Sequence, residues 1–188
     1  MKNRFRIKWN APIVLGMTAI CFVDTVLNYL TEGLTNRVLF STYRSPFSSP
    51  LNYVRFLTHI FGHGDFAHFA GNMGYLLILG PLLEEKYSSV TLAKVIGIVA
   101  VVTALVNCIF FPNVMLCGAS GVVFAFILLS SFTGFQNGEI PVTFLLVAFF
   151  FLGQQIVDGI FVQDNISNTA HILGGIVGAA AGYGLNKK

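Results

Sequence analysis

Apolar residues in this chain fall into long, nearly unbroken runs rather than amphipathic stripes. Six runs stand out: Ala11 to Leu30, Phe66 to Leu83, Val90 to Phe111, Ser120 to Phe135, Ile140 to Val157 and Thr169 to Leu185. Each is about 16 to 22 residues long, close to the roughly 20 that an α-helix needs to cross about 30 Å of hydrocarbon. The pattern predicts an all-α membrane protein, a bundle of six transmembrane helices forming one domain over residues 1–188, with a long outer loop from Thr31 to Asp65. Inside that loop Ser49-Pro50 reads as an N-cap followed by proline at the first helical position, and Leu51, Val54 and Phe61 recur at near-helical spacing. An amphipathic helix lying in the outer interface fits this better than a further span.

Composition agrees with a lipid surrounding. Of 188 residues 55% are hydrophobic and 10% charged, and the mean hydropathy is +0.75, outside the range of soluble domains. The start, MKNRFRIKW, is basic and precedes an apolar run, the layout of a signal peptide. That run has about 20 residues and no small-residue cleavage site, so it reads as a span. With the N-terminus inside, Lys2, Arg4, Arg6, Lys8, Lys86, Lys94, Lys187 and Lys188 lie on the inner side and only Arg37, Arg44 and Arg55 outside. The positive-inside rule thus predicts both termini in the cytoplasm, and the net charge of +3 requires no nucleic-acid partner. Cys21, Cys108 and Cys117 lack any CxxC spacing and read as buried free thiols.

At about 1.5 Å per helical residue, Ser120 lies roughly 24 Å above the inner end of its run, His68 roughly 24 Å, Asn72 roughly 18 Å and His171 roughly 22 Å. Four polar residues on three helices therefore share one layer below the outer surface. Polar groups at that depth face the bundle interior, where they meet one another or water. Serine, histidine and amide donors in one layer are what acyl transfer requires: a hydroxyl nucleophile, a base to take its proton, and donors for the developing oxyanion. His68, Asn72 and a backbone N–H at Ser120 are the candidate oxyanion donors. Gly118 and Gly121 flank Ser120 and let substrate backbone approach.

On the last run His171, Gly174, Gly178 and Gly182 are spaced 3, 4 and 4, a side-chain-free stripe down one helix face. Small-xxx-small stripes bring membrane helices into backbone contact. Gly121 and Ala125 on the fourth run are also small, which predicts a tight pairing that brings the His171 ring to Ser120.

The residues carry a resemblance to the rhomboid intramembrane serine proteases of the minimal six-helix bacterial kind, from about Tyr53 to Gly182. HGDFAHFAGN matches HxxxxHxxxN at His63, His68 and Asn72; GASG matches GxSG at Ser120; AHILGGIVG matches AHxxGxxxG at His171, Gly174 and Gly178. The resemblance implies a Ser120–His171 dyad, an oxyanion hole from His68, Asn72 and the Ser120 backbone, no cofactor, a bacterial cell membrane location, and cleavage of other proteins' transmembrane segments. It also points to the fifth run, with Phe149 to Phe151, or the loop Gly159 to Ser167, as the place of substrate entry. Two departures are visible: Phe124 stands where the family commonly has a tyrosine, and Val54-Arg55 where it has Trp-Arg. Glu84 matches the glutamate that closes the family's second span and reads as a structural contact.

Other readings use the same residues. His59, His63 and His68 could hold zinc, but there is no HExxH and no acid completes a ligand pattern, so no metal is expected. A catalytically silent relative would bind or chaperone membrane clients, and a small channel or transporter could use the polar layer for conduction. Asp24, with Asn28 one turn on, is an intramembrane carboxylate and so a functional candidate by default; a structural or water-facing role fits a dyad enzyme better than a third triad position.

Overall fold

Pro12 opens the first helix, where its fixed φ and missing N–H cost nothing, and a glutamate from another helix completes that terminus. The computed structural model describes residues 7–46, 48–134, 139–161 and 167–187. Helix α1 spans Pro12–Leu30, α2 Leu34–Val38, α3 Pro50–Thr58 followed by a 3-10 turn His59–Phe61, α4 Phe66–Tyr87, α5 Ser89–Phe110 and α6 Ser120–Ser131. Helix α7, Val142–Val147, runs through a π turn at Ala148–Leu152 into α8, Gly153–Phe161, and α9 spans Asn168–Asn186. Apart from a bridge pairing Thr42 with Leu116, regular structure among the described residues is helical.

Among the described residues four stretches are long and apolar enough to cross a membrane: Pro12–Leu30, Phe66–Tyr87, Ser89–Phe110 and Val142–Ile160. All four turn large apolar side chains outward. On α1 the inward face carries Asp24, Thr25 and Asn28 while Phe22, Val23, Val26 and Leu27 are exposed. Apolar side chains turned outward along several helices make a surface suited to lipid, and the chain is an integral membrane protein.

Helix α6 is the exception to outward exposure. It is buried on nearly every side, packed by α4, α5, α7 and α9, which explains its uniformly apolar sequence. It is also shorter than its apolar run: 12 residues, about 18 Å, ending at Ser131 rather than Phe135. The Ser130 and Ser131 hydroxyls bond back to the carbonyls of Ile127 and Leu128 at 2.8 and 2.6 Å, a competing interaction that weakens a helix end. Phe135 and Gln136 lie outside the described residues, as do Lys2, Arg4, Arg6, Lys188 and most of the loop Gly159 to Ser167. Conversely α4 runs four residues past Leu83, because Glu84, Glu85 and Lys86 are good helix formers.

Helix α3 begins after Ser49 with Pro50 at its first position, as expected, although the Ser49 side chain caps nothing. Its polar residues face inward: Asn52 and Arg55 are buried while Tyr53, Val54 and Leu57 are exposed. The Arg55 Nε donates to the Val38 carbonyl at 2.8 Å, and its guanidinium lies over the Tyr43 ring, 4.5 Å from the centroid.

The corner between α4 and α5 gathers several chains. The Glu84 carboxylate accepts from the backbone N–H of Ile13 (3.0 Å) and Val14 (3.1 Å) and from the Ser89 hydroxyl (2.6 Å). A negative charge at the α1 N-terminus satisfies orphan donors and suits the helix dipole, the structural role its position suggested. Lys86 donates to the Thr133 carbonyl just beyond α6, and the Asn186 amide donates to the Tyr87 hydroxyl at 2.7 Å.

Candidate active site

Ser120 is the first residue of α6 and half-buried. The first backward bond of that helix runs from Val123 N–H to the Ala119 carbonyl at 3.0 Å, so the N–H groups of Ser120, Gly121 and Val122 precede the ladder and point out of its end. Unpaired N–H donors at a helix start beside a hydroxyl have the chemistry to meet a negative charge.

The chain is steered into this turn by bonds on both sides. Thr42 and Leu116 exchange backbone bonds of 2.9 Å each, and Gly118 N–H donates to the His59 carbonyl at 2.9 Å. Gly118 has φ +127°, and a Cβ there would stand 2.8 Å from His68 Cε1 and 3.0 Å from Nε2. Only glycine fits that conformation and that closeness, and the contact brings the His68 ring from α4 to the backbone two residues before Ser120.

His68 sits in the first turn of α4, where the Asp65 carboxylate accepts its N–H at 2.7 Å. Asn72 is buried one turn further, and one of its amide N–H bonds goes to the His68 carbonyl at 3.0 Å; the amide has a second N–H to offer. The entry to α4 is gripped at His63. Its N–H donates to Asp24 at 3.2 Å, and its carbonyl accepts from Asn28 at 3.2 Å and Asn36 at 2.8 Å. Asp24 therefore braces the loop that delivers His68, and its carboxylate bonds the backbone of His63. Burial first, and the nearby His68 second, push the His63 imidazole down to about 4.

His171 lies in the first turn of α9, buried. Helices α6 and α9 form the most extensive pair in the bundle, and the glycine stripe makes it possible. A Cβ at Gly174 would lie 2.0 Å from the Gly121 carbonyl oxygen, one at Gly178 2.1 Å from that of Ala125, and one at Gly182 2.6 Å from the Phe132 ring. Gly121 in turn approaches the Ala170 carbonyl, 3.3 Å from its own would-be Cβ. Ser120 and His171 are each next in sequence to a residue of this Gly121–Ala170 contact. Phe124, one turn after Ser120, stacks on the His171 ring with centroids 4.4 Å apart and planes 7° apart; the family tyrosine's ring is replaced and its hydroxyl is absent.

Two contacts were not legible in the sequence. Gln155 on α8 bonds His171, Oε1 to Nδ1, at 2.6 Å. Phe151 of the π turn meets Phe124 edge-on, centroids 6.2 Å apart, whereas Phe149 and Phe150 are exposed. Polar residues near the end of an apolar helix are commonplace, so no spacing marks Gln155. All three cysteines are free, Cys21 and Cys108 buried and Cys117 half-buried.

A model of the Rhomboid domain matches residues 50–188. Over 178 residues, 91% of this chain and 89% of the relative, the sequence is 25% identical to Rhomboid protease GlpG of Haemophilus influenzae.

Proposed function

The chain belongs to the rhomboid family, and on that premise we propose that it is an intramembrane serine endopeptidase whose nucleophile is Ser120 and whose general base is His171. The observation that carries this reading is the backbone-close approach of α6 and α9 at Gly121, Ala170 and Gly174, which supports a Ser120 hydroxyl and His171 imidazole acting together.

The chemistry follows from the groups present. Ser120 Oγ attacks the scissile carbonyl carbon as its proton passes to the unprotonated His171 nitrogen. The carbonyl oxygen becomes an oxyanion held by the N–H groups at the start of α6, the second N–H of Asn72 and His68. Collapse breaks the C–N bond, and the amine leaves with the proton from His171. Water then repeats the sequence on the acyl-serine, returning the free hydroxyl and a carboxylate.

In this reading α6 and α9 count as spans with α1, α4, α5 and the helix 142–161, giving six over one domain, residues 1–188. Both termini face the cytoplasm of a bacterial cell, and the site opens toward the outer face. Substrates are the transmembrane segments of other proteins, entering from the bilayer beside Phe149–Phe151. Local unwinding must precede cleavage, so Gly or Pro near the cut lowers the cost. No cofactor or metal takes part in these steps.

The test is fluorophosphonate labelling of the full chain in detergent, together with cleavage of a single-span reporter in vesicles. Wild type labels at Ser120 and cuts; Ser120→Ala does neither; His171→Ala does both far more slowly. Because a histidine base must be neutral, labelling declines as pH falls. A folded His171→Ala protein that labels at the wild-type rate overturns the reading.

A further inference from the structure

We propose that Gln155 is a positioning residue for His171: its side-chain oxygen holds the Nδ1–H, leaves Nε2 unprotonated as the base, and so ties the readiness of that base to the seating of the helix 142–161. The inference rests on the dyad reading above.

Helix 142–161 is otherwise a lipid-facing element. Along Val142–Ile160 Gln155 alone is buried, 8% exposed. A buried amide on such a helix is costly unless bonded, and its bond goes to the equally buried His171 at 2.6 Å. A side-chain carbonyl only accepts, so Nδ1 carries the proton and Nε2 keeps its lone pair. Two constraints then fix the imidazole. Phe124 sets the plane of the ring by stacking on it, and Gln155 sets the rotation within that plane. An aspartate in a serine-protease triad performs the second task with a charge; Gln155 performs it without one.

The same helix reaches the site twice more. Phe151 meets Phe124 edge-on, and Leu152 packs on Gly175, where a Cβ would lie 2.5 Å from its Cδ2. Phe151, Leu152 and Gln155 share one face, so outward displacement of the helix removes the aromatic brace and the hydrogen bond together. His171 then loses its fixed tautomer, and the enzyme idles until the helix reseats around substrate.

Among the described residues the titratable groups around His171 are few. Helix α6 and the π turn carry none, α5 carries Lys94 and Cys108, α9 carries Tyr183 toward its other end with Lys187 just past it, His68 approaches from α4, and Asp158 lies three residues beyond Gln155 on α8.

Gln155→Leu and Gln155→Glu, made in the full chain, are compared by the rate and pH profile of fluorophosphonate labelling, with Ser120→Ala, His171→Ala and Asp158→Asn alongside. Gln155→Leu labels roughly 10- to 100-fold more slowly, part of what general-base catalysis contributes. Gln155→Glu restores an acceptor and recovers most of the rate. It also moves the acid limb of the profile upward by roughly one pH unit, since a carboxylate favours the imidazolium. Asp158→Asn leaves the limb in place. If Gln155→Leu does not fold, the limb of Gln155→Glu decides. An unmoved limb, a folded Gln155→Leu at the wild-type rate, or a limb that follows Asp158→Asn overturns the proposal while inert Ser120→Ala and slow His171→Ala keep the dyad. Wild-type labelling by His171→Ala removes the dyad itself.

Discussion

The imidazole of His171 lies flat on the phenyl ring of Phe124, planes 7° apart. Stacked aromatic pairs are worth about 0.5 to 1.5 kcal/mol beyond burial, so a missing hydroxyl at position 124 leaves the platform intact. Phe124→Tyr is expected to cleave a reporter at close to the wild-type rate. Phe124→Leu, which keeps bulk and loses the platform, should lower turnover roughly 3- to 10-fold with the melting temperature little changed.

Asn72 separates catalysis from packing. If its second N–H binds the oxyanion, Asn72→Ala lowers turnover by roughly 10- to 1,000-fold while thermal melting in detergent barely moves. A matched loss of melting temperature and activity would assign it to helix packing instead.

The glycine stripe gives a sharper contrast. A methyl at Gly178 meets the Ala125 carbonyl at 2.1 Å, whereas nothing lies within 4 Å of one at Gly184 on the same helix. Overpacking of this kind costs about 1 to 3 kcal/mol. Gly178→Ala is expected to lower the melting temperature and activity, and Gly178→Val to abolish activity. Gly184→Ala should stay within about 0.5 kcal/mol of wild type.

Acid should destabilise the outer loop. Burial holds His59 down to about 4 and, with His68, His63 to about 4, against about 6.5 in an unfolded chain. The neutral His59 ring donates from Nδ1 to the Arg55 carbonyl and accepts at Nε2 from Thr103. Between pH 6.5 and 4 the unfolded state takes up protons that the folded state refuses. The stabilisation is therefore full above about 6.5 and is lost as pH falls toward 4, on the order of a few kcal/mol. Melting temperatures at pH 7.5 and 5 should show the fall, and His59→Gln should flatten it.

The sequence made some of this legible and hid the rest for physical reasons. Long apolar runs announce membrane helices because lipid demands them, and the 3-4-4 spacing of His171, Gly174, Gly178 and Gly182 announces its contact because only glycine admits a carbonyl oxygen 2.0 Å from where a Cβ would stand. The ends of α4 and α6 differ from those of their apolar runs because hydropathy marks where lipid ends, not where the backbone stops coiling: Glu84 to Tyr87 continue α4, and Ser130 and Ser131 help to end α6 early. Gln155 was hidden because its meaning depends on a partner 16 residues away on another helix. Asp24 was visible as an anomaly, but its partner, the backbone N–H of His63, carries no sequence signature.

The α4–α5 corner works as a pivot. Through Glu84, Lys86, Tyr87 and Ser89 it fastens the ends of α1, α5, α6 and α9 at one level by hydrogen bonds, whereas the helix 142–161 is seated by side-chain packing, Phe144 on the Phe132 ring with centroids 4.1 Å apart and Phe151 on Phe124, and by the single hydrogen bond of Gln155. Five helices clamped at one end by hydrogen bonds and a sixth leaning on them mostly through apolar side chains divide the molecule into a stiff root and a yielding flank. Displacement costs less where the flank leans than at the root, where several hydrogen bonds must break together. Amide exchange should trace that gradient, slowest at Leu83 to Leu92 and fastest along Val142 to Ile160.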